Sequence, residues 1–96
     1  MIIHIVMFKF KEENKKSNIK EVGEKLNSLS KLIPELKSME VGVNFTDSER
    51  AFDLSLYSTF ETKEDLASYA IHPEHLKVVE LIKSMTLESK VVDYIL

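Results

Sequence analysis

The chain has no cysteine, and only two glycines and two prolines among its 96 residues. Without cysteine there is no disulfide, no thiolate nucleophile and no zinc–thiolate site. The chain also lacks linkers, internal repeats and low-complexity segments. There is no excess of positive charge: 13 basic residues against 16 acidic ones give a net charge of −3. Nucleic acid calls for a basic face, so it is not an expected partner. The lysines are interleaved with glutamates along the chain, as on a solvated mixed surface. No apolar run approaches the ~18 residues of a membrane span, and the start Met1-Ile2-Ile3-His4 lacks a basic segment followed by a long apolar one. A cytoplasmic protein with no membrane partner is the expectation.

What is present makes one domain, residues 1–96. A chain of this size buries roughly 60–65% of its unfolded surface, so covering one more face against a partner would help its stability. The segment from Ile2 to Phe10 is apolar on both sides. His4, Val6, Phe8 and Phe10 fall on one face; Ile3, Ile5 and Met7 fall on the other, as in a strand covered twice. A polar stretch follows, and then Ile19, Val22, Leu26, Leu29 and Ile33 recur at helical spacing. Ser17 or Asn18 is suited to cap that helix, and Pro34 limits its end.

Met39, Val41, Val43 and Phe45 then alternate with polar residues. After the turn-like Thr46–Arg50, so do Phe52, Leu54, Leu56 and Phe60, predicting a hairpin with one buried face. Thr62 and Asp65 resemble a capping box ahead of Leu66, Tyr69 and Ala70. His72-Pro73 breaks the helix, and a new one presents Leu76, Val79, Ile82 and Met85, with Pro73 suited to its first position. Leu87 to Ile95 closes the chain as a strand. The order βαββαβ predicts an α+β, ferredoxin-like fold, an antiparallel four-stranded sheet with helices on one face. Its first strand is central, so Ile3, Ile5 and Met7 would lie on the bare side of the sheet. Tyr57, Val92 and Tyr94 would extend that patch. An exposed apolar surface of this kind predicts a homodimer, two sheets packed across a two-fold axis.

Several segments together resemble one family. They are His4-Ile5-Val6-Met7-Phe8-Lys9-Phe10-Lys11, Ile33-Pro34, Glu40-Val41-Gly42, Tyr69-Ala70-Ile71-His72-Pro73-Glu74-His75 and Val91-Val92-Asp93-Tyr94. The chain is similar over essentially its whole length to the stress-responsive A/B barrel (Dabb) family. The resemblance implies a dimeric α/β barrel. It implies less about activity, since most members have no established function. The family's clearest enzyme, a plant polyketide cyclase, closes a ring by intramolecular aldol condensation without metal or organic cofactor. By that resemblance His75 is the base, Tyr69 the substrate-holding phenol and Asp93 the residue that orients His75. His4, Val6, Phe8, Leu56 and His72 would line the substrate pocket. The cyclase's aromatic pocket residues are replaced here by Val22, Gly23 and Leu26, and two of its aliphatic ones by Ser58 and Ser89. A different, more polar cavity follows.

The residues carry their own argument. His75 lies in the first turn after Pro73, where the positive end of the helix disfavours an imidazolium and keeps the ring a base. A nearby phenol suits the charge that develops on a carbonyl during proton abstraction. Each residue also has a structural reading. His75 can cap a helix start against Asp93, Tyr69 can be core, His72 can serve the turn, and His4 can be a hydrogen-bonded core histidine. His72 and His75 have ligand-like spacing, but the proline breaks the geometry and His4 would have to converge from elsewhere, so no metal is expected. No pattern singles out an iron ligand. The functional expectation is a homodimer that binds a small molecule, with acid–base catalysis of cyclase, lyase or isomerase type on a carbonyl compound. The alternative is a non-catalytic, stress-associated structural or ligand-binding dimer.

Overall fold

The computed structural model describes residues 1–96. Its elements are β1 (Ile2–Phe10), α1 (Lys15–Leu32), β2 (Ser38–Val43), β3 (Leu54–Phe60), α2 (Lys63–Ala70), α3 (Pro73–Met85) and β4 (Thr86–Ile95). The four strands form one sheet in the order β2-β3-β1-β4, with every neighbouring pair antiparallel. This is the expected ferredoxin-like α+β fold. No helix is long and apolar enough to cross a membrane.

The period of two along β1 divides the molecule. Ile2, Phe8 and Phe10 join Leu54, Leu56 and Phe60 of β3 in a core closed by Val22, Leu26 and Leu29 of α1, Tyr69 of α2, and Val78 and Ile82 of α3. The other face of the sheet has no helix. There Ile3 stands opposite Thr59 and Tyr94, and Ile5 opposite Tyr57 and Val92. Met7 is 42% exposed and Val92 53%, with Tyr57 and Tyr94 also open. Ile3 departs from the expected exposed patch, being only 1% exposed although it lies outside the core cluster. It sits between two cross-strand partners, Thr59 and Tyr94, a spacing at which opposite and diagonal side chains are within reach of one another.

Local chemistry accounts for the other departures. Helix α1 begins before Ser17, and its N-cap is Asn14, which holds a left-handed φ of 55° and makes no side-chain cap. Asparagine tolerates that conformation better than most residues. Strand β2 stops at Val43, because the Asn44 side chain folds onto the loop. Its Nδ2 donates to the Thr46 carbonyl at 2.7 Å, and its Oδ1 accepts from the Thr46 N–H at 3.3 Å. Phe45 is consequently 98% exposed instead of extending the buried face. In α3 the buried pair is Val78 and Ile82, while Leu76 is exposed. The Thr62 cap forms as expected, its hydroxyl accepting from the Asp65 N–H at 3.0 Å.

Asp53 fixes the far end of β1, where the pairing with β4 shifts between Lys9 and Phe10. Its carboxylate accepts from the Phe10 N–H at 2.7 Å and lies 3.6 Å from the Lys15 ammonium. Its own N–H donates to the Phe8 carbonyl at 2.8 Å. Asp53→Ala leaves the Phe10 N–H without its acceptor and is expected to lower stability by about 1–3 kcal/mol. Urea denaturation measures this, and a loss within error of zero would remove Asp53 from this role.

Candidate functional site in the sheet–helix cavity

A cavity of about 220 Å³ lies between the helix-facing side of the sheet and α3. Strand β1 lends it His4, Val6 and Phe8, β3 lends Leu56, α2 lends Tyr69, and α3 lends His75. Six residues proposed from sequence for the site thus come together around one cavity. Two others, Asp93 and His72, do not line it.

Tyr69 closes the inner end. It lies in the last turn of α2, is 1% exposed, and packs between Phe60 at 5.1 Å and His75 at 4.3 Å, ring centre to ring centre. Its hydroxyl is buried and has no hydrogen-bond partner. Leaving such a group unpaired costs about 1–3 kcal/mol. Burial also pushes the phenol well above its ordinary pKa of 10.0, so it remains a donor at any physiological pH.

His75 is placed by Pro73, which opens α3. Its Nδ1 is 3.0 Å from the Ala70 carbonyl. A carbonyl only accepts, so Nδ1 carries the hydrogen and Nε2 is left as the basic nitrogen. Its pKa is lowered from 6.5, first by burial and then by the neighbouring His4 and His72, against the opposing bond to Ala70. Desolvation is the foremost of these causes keeping the ring neutral.

Asp93 does not reach His75 as expected. It is the direct cross-strand partner of His4 in the β1–β4 ladder, and its carboxylate is hydrogen-bonded to His4 Nδ1. Opposed residues on one face of a sheet have Cβ atoms only ~4.5–5.5 Å apart, so the register itself makes this pair. His72 is likewise corrected as a pocket residue. It caps α3, and its Nδ1 accepts from the Glu74 N–H at 3.1 Å. Extended backbone ahead of a proline turns its ring back onto the helix start. No group of three or more His, Cys, Asp or Glu side chains is arranged to hold a metal ion.

Of the positions at which the resemblance implied a changed pocket, Leu26 and Ser89 line the cavity. Ser58 is fully buried and donates to the His4 carbonyl at 3.1 Å, so it adds no free polar group. Sequence reasoning passed over Val78, Lys83 and Thr86, which also face the cavity. The signal was available: counted from His75, Val78, Val79, Ile82 and Lys83 recur at the three- and four-residue spacing of one helix face.

The model of the stress-responsive A/B barrel domain family matches residues 2–96. A stress-response A/B barrel domain-containing protein of Arabidopsis thaliana is 40% identical over 80 residues, 83% of this chain and 30% of that protein. This chain therefore spans under a third of that relative, and 47% of a second one from the same plant. Olivetolic acid cyclase of Cannabis sativa is 27% identical over 93 residues, covering 95% of this chain and 92% of the cyclase. Among solved structures, a dimeric protein of unknown function with a ferredoxin-like fold from Bacteroides fragilis is 29% identical. It superposes with a TM-score of 0.87 over 97% of this chain and 93% of its own.

The lowered pKa of His75 links it to stability. Unfolded, the ring titrates near 6.5; folded, it titrates lower. The unfolded state therefore binds the extra proton as pH falls, so this contribution is complete above pH 6.5 and is lost progressively below it. His75→Gln is expected to flatten stability against pH in that window. Urea unfolding of both proteins between about pH 5 and 8 tests this, since histidines titrate there. Parallel profiles would contradict it.

Proposed function

The chain belongs to the stress-responsive A/B barrel family, and on that premise we propose that it is a homodimer that binds a small carbonyl compound in the sheet–helix cavity. The reaction it fits is proton abstraction beside the carbonyl, of the cyclase, lyase or isomerase type. The observation that carries this reading is the Tyr69 hydroxyl, buried without a partner beside a neutral histidine. A substrate carbonyl oxygen would accept its hydrogen bond. His75 Nε2 would take the α-proton, the C–H electron pair moving into the enolate while negative charge gathers on the oxygen held by Tyr69. Burial disfavours the imidazolium so formed, which favours return of the proton to the next atom in the sequence. His4 forms the adjoining polar wall, and Asp93 acts by orienting His4. That one relative covering nearly the same length is named a cyclase agrees with this reading.

The dimer rests on the helix-free face of the sheet, where Ile5, Met7, Tyr57, Val92 and Tyr94 gather. A contiguous apolar face of this kind is uncommon on a monomer, and a two-fold axis lets it cover itself. The related dimeric structure from Bacteroides fragilis points the same way.

Two measurements test these proposals. In deuterated water, NMR is expected to detect α-hydrogen exchange of methyl ketones by the wild-type protein, slowed about 10²–10⁴-fold in His75→Gln. Its rate should hold below the ordinary histidine range, since the base stays deprotonated there. Binding without exchange would favour the non-catalytic ligand-binding module. In sedimentation equilibrium the wild type is expected as a dimer and Val92→Glu as a monomer. A monomeric wild type would refute the interface.

A further inference from the structure

The cavity has two chemically distinct ends. We place Tyr69, His75 and His4 at the inner one and Lys83, Thr86 and Ser89 at the other; the remaining seven lining residues are apolar. Two elements give the same separation. Ser89 stands opposite Phe8, which lies four residues along β1 from His4, or about 13 Å of strand. Lys83 follows His75 along α3 by about eight residues, or about 12 Å of helix.

Lys83 behaves unlike the other lysine of its helix. Lys77 turns back onto Glu74, three residues before it, at 3.4 Å. Lys83 has Glu80 at the same spacing yet enters none of the chain's ion pairs, and its side chain lines the cavity instead. None of the 13 lining residues is acidic, in a chain where acidic residues outnumber basic ones 16 to 13. The cavity is thus a locally cationic place on an anionic protein.

We infer that the ligand is a small oxo acid, held by its carbonyl at Tyr69 and His75 and by its carboxylate at Lys83. This rests on the reading of the inner end as a carbonyl site and adds the chemistry of the outer end. Thr86 already donates its hydroxyl hydrogen to the Ile82 carbonyl at 2.8 Å, so Ser89 supplies the hydroxyl donor to the carboxylate. Lys83 and Ser89 are exposed while Tyr69 is buried, which makes the cationic end the mouth. A carboxylate there keeps part of its hydration, whereas beside Tyr69 it would lose it at high cost. The volume of about 220 Å³ is below the ~300–1,000 Å³ usual for larger ligands and suits a small acid.

The test is an amide NMR titration of the isotopically labelled protein with levulinate, its longer straight-chain homologues, and the methyl ester of each. The best acid is expected to bind about tenfold or more tightly than its ester, the reach of one charge-assisted hydrogen bond. That preference should shrink as salt is raised. Lys83→Gln is expected to bring the acid to the level of the ester. Lys83→Arg should keep the preference, and Tyr69→Phe should weaken acid and ester alike. If acid and ester bind equally to the wild type, or the preference survives Lys83→Gln, the anionic-end inference falls. The carbonyl reading then stands, provided Tyr69→Phe still weakens both. If no member of the series binds, both readings fall together.

Discussion

Strand β1 is hydrogen-bonded along both edges and apolar on both faces, and the rest of the fold is arranged to cover it. Its even-numbered residues meet the helices and make the core and the cavity; its odd-numbered residues make the helix-free face. A one-residue slip in register would exchange the two sets completely. It would carry His4 out of the cavity and away from Asp93, and it would turn Ile5 and Met7 inward. Site and sheet face are therefore specified by one register.

Around the cavity the three histidines are separated by what holds their Nδ1 atoms. His4 is tied to a strand through Asp93, His72 to a helix start through the Glu74 N–H, and His75 to a helix end through the Ala70 carbonyl. Of the three, His75 combines a fixed tautomer, a lowered pKa and contact with the unpaired phenol. The unpaired Tyr69 hydroxyl is tolerated because the ring itself is packed between Phe60 and His75. Aromatic contacts of this kind contribute about 0.5–1.5 kcal/mol beyond their buried area, comparable with the cost of the missing hydrogen bond.

What the sequence disclosed and what it concealed follow from the range of the interactions. Short-range signals were legible: the two-faced run of β1, the Thr62 cap, and the proline opening α3. The convergence of His4, Tyr69 and His75 followed from the fold once the family resemblance supplied it. The partner of Asp93 was not legible, because it depends on a ladder joining residues 89 positions apart. The rotation of α3 was also misjudged. Apolar side chains at Leu76 and Val78 fit two neighbouring helix faces, and the face that won carries His75 toward Tyr69. The same rotation brings Lys83 to the cavity, where a count of hydrophobic residues alone would not look.

Strand β4 carries the link between site and assembly. It is an edge strand whose residues after Thr86 are all exposed, and β1 is its one neighbour in the sheet. Along it Val92 and Tyr94 point to the helix-free face, while Asp93 points to His4. Without a partner, little apolar burial resists fraying of this strand, and fraying would take Asp93 with it. A second copy packed on Val92 and Tyr94 would bury the strand on that side and hold Asp93 in register with His4. On this argument the uncovered face and the cavity are not independent features. Covering the first stiffens one wall of the second, through a strand one side chain thick.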